Sequence, residues 1–167
     1  TFASTNAASA NATVEAMLVG TTAGYGAVTA TRGNIQAATA FLVGQPVDDF
    51  DATIDMVGLD VYPHAVTVTP SGGQRQILLG ALYEDVALAS SGTRYFASSS
   101  DVIEITPDGR ILGRNPGNAI VTAIYKMAEV LIPVNVAVPH QGATVLGAGG
   151  GAVQSAGGMI AAIAPGA

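Results

Sequence analysis

Between residues 61 and 138 apolar and polar positions alternate in short bursts, each closed by turn-forming residues. "HAVTVTP" alternates and stops at Pro70, and "DVIEI" alternates again. "TPDG" reads as a tight turn, with Pro presetting φ and Gly109 supplying the φ > 0 position. "RIL" is a short strand, "GRNPGN" turns, and "AIVTAIY" and "EVLIPVNVAV" close the series. The longer apolar run "QILLGALYEDVALA" has β-type content, although its Leu and Ala leave a helix open. Short strands at this spacing, separated by Gly, Pro, Asn and Asp, predict an all-β sandwich or barrel. The expected core is Leu78, Leu79, Leu82, Phe96, Ile103, Ile105, Ile111, Val121 and Val134, with Glu104 outside.

The N-terminal part carries a repeat. Gly24–Val43 lies over Gly117–Val136 without a gap, so that Val28-Thr29-Ala30 falls on Val121-Thr122-Ala123. The separation is 93 residues (121 − 28), about the size of one sandwich module. The N-terminal part therefore reads as the closing strands of a similar sandwich without its opening strands. Strands are expected over Val14–Val19 and Ala27–Phe41. A hairpin is marginal alone, so residues 11–43 are expected to complete a sheet supplied by this chain's second half or by a neighbouring subunit.

The module itself carries a resemblance. Phe96-Ala97-Ser98-Ser99-Ser100-Asp101-Val102-Ile103-Glu104-Ile105 is followed by Pro107-Asp108-Gly109-Arg110-Ile111 and then by Asn115-Pro116-Gly117-Asn118-Ala119-Ile120-Val121-Thr122-Ala123. In order and spacing this resembles the group 2 bacterial immunoglobulin-like (Big_2) domain of intimin/invasin-type proteins, with Phe96 in the place of the usual Trp. The resemblance spans roughly residues 61–138. It implies an immunoglobulin-like Greek-key β-sandwich that serves as a spacer or binding module on bacterial surfaces and in phage virions, with no catalytic residue. The chain then divides into an N-terminal β unit (1–46), an acidic connector (47–60), the immunoglobulin-like domain (61–138) and a Gly/Ala-rich tail (139–167).

Composition narrows the functions. The chain has 167 residues, 49% hydrophobic and only 11% charged, against about 25% charged in an average soluble domain. That leaves neutral surface for contact with neighbours. The net charge is −6 without a basic cluster, which argues against nucleic-acid binding. Zero Cys excludes disulfides and thiolate chemistry. From Val130 to Ala167 there is no charged residue. This uncharged tail and the N-terminal strands are expected to become ordered by packing on a partner. No signal peptide is visible in the sequence.

Several motifs have chemical readings that their context does not support. Gly147-Ala148-Gly149-Gly150-Gly151-Ala152 fits G-x-G-x-x-A, but the second strand and the acidic residue of a dinucleotide site do not follow. The tail is interrupted by Gln154 and Ser155 and lacks basic flanks, so a membrane span is not expected. Asp48, Asp49, Asp51, Asp55 and Asp60 could gather around Ca²⁺, but their spacing is not an EF-hand and a solvated connector suffices. His64 and His140 flank the module without triad or zinc partners. Thr1 as an N-terminal nucleophile lacks a base, and Asn11-Ala12-Thr13 is a glycosylation sequon relevant only in a secretory setting.

No catalytic, cofactor or metal residues are assigned. The expected role is that of a non-enzymatic structural protein of a large assembly, with protein partners or self-association. The first setting is a phage virion, as a capsid decoration or tail-associated protein. The alternative is a bacterial cell-surface adhesin or envelope filament with tandem modules. A carbohydrate-binding accessory module is weaker, because there is no Trp and only 5% of residues are aromatic.

Overall fold

The computed structural model describes residues 1–44, 58–81, 83–138, 150–154 and 160–163. The first 43 residues hold β1 (Phe2–Ser4), β2 (Ala10–Ala12), β3 (Leu18–Gly20), β4 (Gly24–Arg32) and β5 (Ile35–Val43). Next come β6 (Asp60–Tyr62), β7 (Val66–Val68), β8 (Gln74–Gln76), β9 (Leu78–Ala81) and β10 (Glu84–Asp85). A single 3-10 turn (Ala89–Ser91) leads to β11 (Arg94–Ala97), β12 (Ile103–Ile105), β13 (Arg110–Gly113), β14 (Gly117–Tyr125) and β15 (Ala128–Val136). Thr1–Val136 forms one compact unit and Ala137–Ala167 another. The second unit contributes an antiparallel pair, β16 (Gly151–Gln154) and β17 (Ile160–Ile163). The protein is all-β among the described residues.

From Asp60 to Val136 the chain is a sandwich. One layer has the order β11-β14-β15-β7, with β7 parallel to β15. The other comprises β10-β9-β6 and β12-β13-β8. Each strand turns alternate side chains inward, so Val121, Ala123, Ile132 and Val134 from the first layer meet Val61, Leu79, Ile103 and Ile111 from the second in one core. The described part of "QILLGALYEDVALA" holds β9 and β10 rather than an α-helix, and its alternation buries Ile77 and Leu79 against this core.

That alternation corrects part of the expected core. Leu79, Ile103, Ile111, Val121 and Val134 are buried and Ile105 packs against them, but Leu78 is 54% exposed. Leu78 stands one residue out of phase with its buried neighbours Ile77 and Leu79, and such a step reverses the face. Phe96 is only half-buried and outside the core cluster; its neighbour Tyr95 packs on the core instead. The Tyr95 hydroxyl donates to the Ala87 carbonyl at 2.8 Å, giving its polar tip a partner. Leu82 lies outside the described residues.

The expected N-terminal strands are redrawn in part. Ala27–Phe41 is the strand–turn–strand expected from the repeat, the chain reversing at Gly33 (φ 59) and Asn34 between β4 and β5. Of the Val14–Val19 segment only Leu18 and Val19 are strand, within β3. Thr13–Met17 is a turn closed by the Met17 amide on Thr13 Oγ1 (3.3 Å), and Val14 is 88% exposed.

The repeat extends well beyond the segment visible in the sequence, at the same 93-residue offset. The β4–β5 pairs Gly24↔Val43 and Arg32↔Ile35 match the β14–β15 pairs Gly117↔Val136 and Tyr125↔Ala128. The β1–β4 register Phe2↔Ala30 matches the β11–β14 register Tyr95↔Ala123. Ala10↔Gly20 in β2–β3 matches Ile103↔Gly113 in β12–β13. Even the turns agree: Ala16 (φ 63) stands where Gly109 (φ 77) does, and Gly33 where Lys126 (φ 54) does. Residues 1–43 therefore hold counterparts of β11 to β15 and none of β6 to β10.

Candidate functional site

Two surfaces follow from this half-copy. The first is the seam between residues 1–43 and the sandwich. β5 is an edge strand of the sheet β1-β4-β5, and an open edge offers unpaired backbone groups. The segment after β11 takes up part of it. The Gln36 amide donates to the Ser98 carbonyl and the Ser100 amide to the Asn34 carbonyl, both at 3.0 Å, about an isolated antiparallel bridge Ile35↔Ser99. Asn34 Nδ2 adds a bond to Asp101 Oδ2 at 2.8 Å.

Farther along the same edge one carboxylate closes the seam. Glu129 Oε2 accepts from the Ala40 amide at 2.8 Å and from Thr39 Oγ1 at 2.9 Å. The Ser-rich loop is itself held. Arg114 donates to the Ser100 carbonyl at 3.0 Å and pairs with Glu104 at 2.6 Å, while Asn115 Nδ2 holds the Asp101 carbonyl at 2.7 Å. Ile124, at 3% exposure, is buried outside the sandwich core and lines a groove together with Thr5, Asn6 and Tyr25 from the N-terminal part. The N-terminal hairpin thus touches the sandwich through one isolated bridge and a few side-chain bonds, while β5 stays the edge of its own sheet.

The second surface is the face of residues 1–43 that corresponds to the sandwich interior. An apolar groove of about 250 Å³ runs between Phe2, Leu18, Val28, Ala30, Ala37 and Thr39. Leu18 is 39% exposed, whereas its counterpart Ile111 is fully buried. Met17 and Val19 beside it are exposed as well.

Among the described residues there is no cluster of three or more His, Cys, Asp or Glu able to hold a metal. His64 is exposed, and the Thr1 amino group donates to the Thr31 carbonyl at 2.8 Å. Asn11 of the sequon is exposed in β2. Asp48, Asp49, Asp51, Asp55, His140 and the first half of the Gly-rich motif (147–149) fall outside the described residues, and Asp60 opens β6. No described helix is long and apolar enough to cross a membrane. The Tyr95 phenol is pushed up to about 12 by burial and then by the nearby charges of Asp85 and Asp108.

The sequence reading missed Asn34, Thr39 and Glu129 as contact residues. The only signal for Asn34 was its place at the tip of the repeated hairpin; Glu129 carries no local signal at all.

No family model matches the sequence, and comparison with curated proteins gave no match. Among solved structures the chain is similar to domains 1–6 of the surface-layer protein SbsC, at 17% identity over 99% of this chain with a TM-score of 0.40. A second structure, of the S-layer protein rSbsC(31-844), is similar at 16% identity over 98% of this chain with a TM-score of 0.41. The chain spans 24% of the length of each of these two structures. SbsC domains 4 and 5 are similar at 16% identity and a TM-score of 0.36, over 83% of this chain and 70% of theirs.

Proposed function

We propose that this chain is a stretch of a tandem array of immunoglobulin-like modules of the group 2 bacterial type, acting as a non-enzymatic structural component of a bacterial cell surface. The observation that carries this reading is the repeat: one sandwich, preceded at a constant offset of 93 residues by a half-copy in the same register. Tandem repetition with a hydrogen-bonded seam suits a spacer, because neighbouring modules that share backbone bonds hold a fixed relation. The scarcity of charge leaves much of the remaining surface neutral and available for association with further copies. Surface-layer proteins, to which the chain is similar, belong to this same broad class.

The test is location and order. Antibodies raised against residues 60–136 are expected to label intact cells, and the protein is expected to co-purify with the envelope in assembled form. Labelling confined to phage particles would replace this reading with a virion role. Label found only in the soluble cell extract would overturn both.

A further inference from the structure

The exposed apolar face of residues 1–43 has the makeup of a sandwich interior. Of the eleven residues lining its groove, seven fall on positions in or against the sandwich core when carried forward by 93. Phe2, Ala12, Leu18, Val28, Ala30, Ala37 and Thr39 fall on Tyr95, Ile105, Ile111, Val121, Ala123, Val130 and Ile132. Every one of those counterparts is in the core of the sandwich or packed against it. In the sandwich that space is filled by the opening strands, through Val61, Val66, Ile77 and Leu79.

The open edges correspond as well. β7 pairs with β15 at Val134, Asn135 and Val136, whose counterparts are Phe41, Leu42 and Val43 at the end of β5. β8 pairs with β13 at Arg110–Leu112, whose counterparts are Met17, Leu18 and Val19. Both stretches in the half-copy are without a neighbouring strand on that side among the described residues. The seam leaves both free, since it engages β5 at Asn34–Gln36 and at Thr39–Ala40.

We propose that this face is the docking site of an opening half-sandwich patterned as Asp60–Thr93 is. The register argues for that occupant, since the free stretches and the groove match, position by position, the surfaces that Asp60–Thr93 covers in the sandwich. A parallel strand would pair with Phe41–Val43, an antiparallel one with Met17–Val19, and their inward side chains would fill the groove. The inference rests on the tandem-repeat reading but not on the cellular setting, so a failure of surface labelling leaves it standing.

The experiment fuses a copy of residues 60–93 directly to Thr1 of the full chain and follows amide exchange. In the fused protein, exchange at Leu18, Val19 and Leu42 is expected to slow by about tenfold or more relative to the unfused chain. Val66→Asp and Leu79→Asp within the fused copy are expected to remove that protection. Leu18→Asp is expected to leave the melting of the unfused chain unchanged but to abolish the gain in the fused one. Unaltered exchange at those amides after fusion would overturn the proposal. Equal protection from an unlinked peptide of residues 60–93 would support the same occupant supplied from another chain.

Discussion

At the scale of single residues, the two copies provide internal controls. Ile111 and Leu18 occupy matching places, yet one is fully buried and the other 39% exposed. Ile111→Ala should therefore cost about 2–5 kcal/mol, while Leu18→Ala should cost much less, because removing exposed methyl groups leaves no cavity. Chemical denaturation of the two variants checks this; equal losses would contradict the difference in burial. Gly109 sits at φ 77, and a Cβ there would lie 2.9 Å from Cζ of Tyr95. Gly109→Val should destabilise by roughly 1–3 kcal/mol from backbone strain alone, with the clash added to it. A variant that melts with the wild type would remove the case for a strained turn.

Tyr95 gives stability a pH dependence of known sign. Its phenol has an ordinary value of 10.0 and is held near 12 in the fold by burial and neighbouring carboxylates. The folded state thus binds the proton more tightly than the unfolded one. Its contribution is fully present below pH 10 and is lost as pH rises from about 10 to about 12. Thermal melts across that window should fall more steeply for the wild type than for Tyr95→Phe. Parallel curves would show that the tyrosine is not the responsible group.

At the scale of elements, alternation and turn chemistry located most strands. Val66–Val68, Ile103–Ile105, Arg110–Gly113 and both long hairpin strands of the sandwich fall where period-2 runs and Gly/Pro/Asn punctuation place them. The errors have physical causes. A Leu-Leu pair cannot say which of its members points inward, so Leu78 was misassigned. Two adjacent aromatics posed the same problem, and Tyr95 rather than Phe96 reaches the core, its hydroxyl satisfied by a carbonyl eight residues away. The seam was least legible, since Asn34, Asp101 and Glu129 meet across wide sequence separations and use backbone groups that any residue would supply. Glu129→Ala should loosen only this contact. Faster amide exchange is expected at Ala40 and its neighbours, with exchange in β14 unchanged. If Ala40 stays as protected as before, the carboxylate does not hold the seam.

At the scale of the whole molecule, residues 1–136 hold one sandwich preceded by a half-copy of its closing strands. The separation of Thr1–Val136 from Ala137–Ala167 as compact units predicts that truncation after Val138 leaves the melting of the first unit unaltered. A drop of several degrees in the truncated protein would show that the tail stabilises it.

The parallel pairing of β7 with β15 has a mechanical meaning. The first layer strand to enter the sandwich and the last to leave it lie side by side and run in the same direction. A pull on the two ends of the module therefore slides these strands past each other and strains their hydrogen bonds together. The half-copy has no such clamp, and a pull at Val43 strips β5 from β4 one bond at a time. Under tension residues 1–43 should open at low force and the sandwich should hold to a higher one. Pulling single molecules by their ends would show two steps in that order; a single step, or the sandwich yielding first, would exclude a shear clamp at β7 and β15.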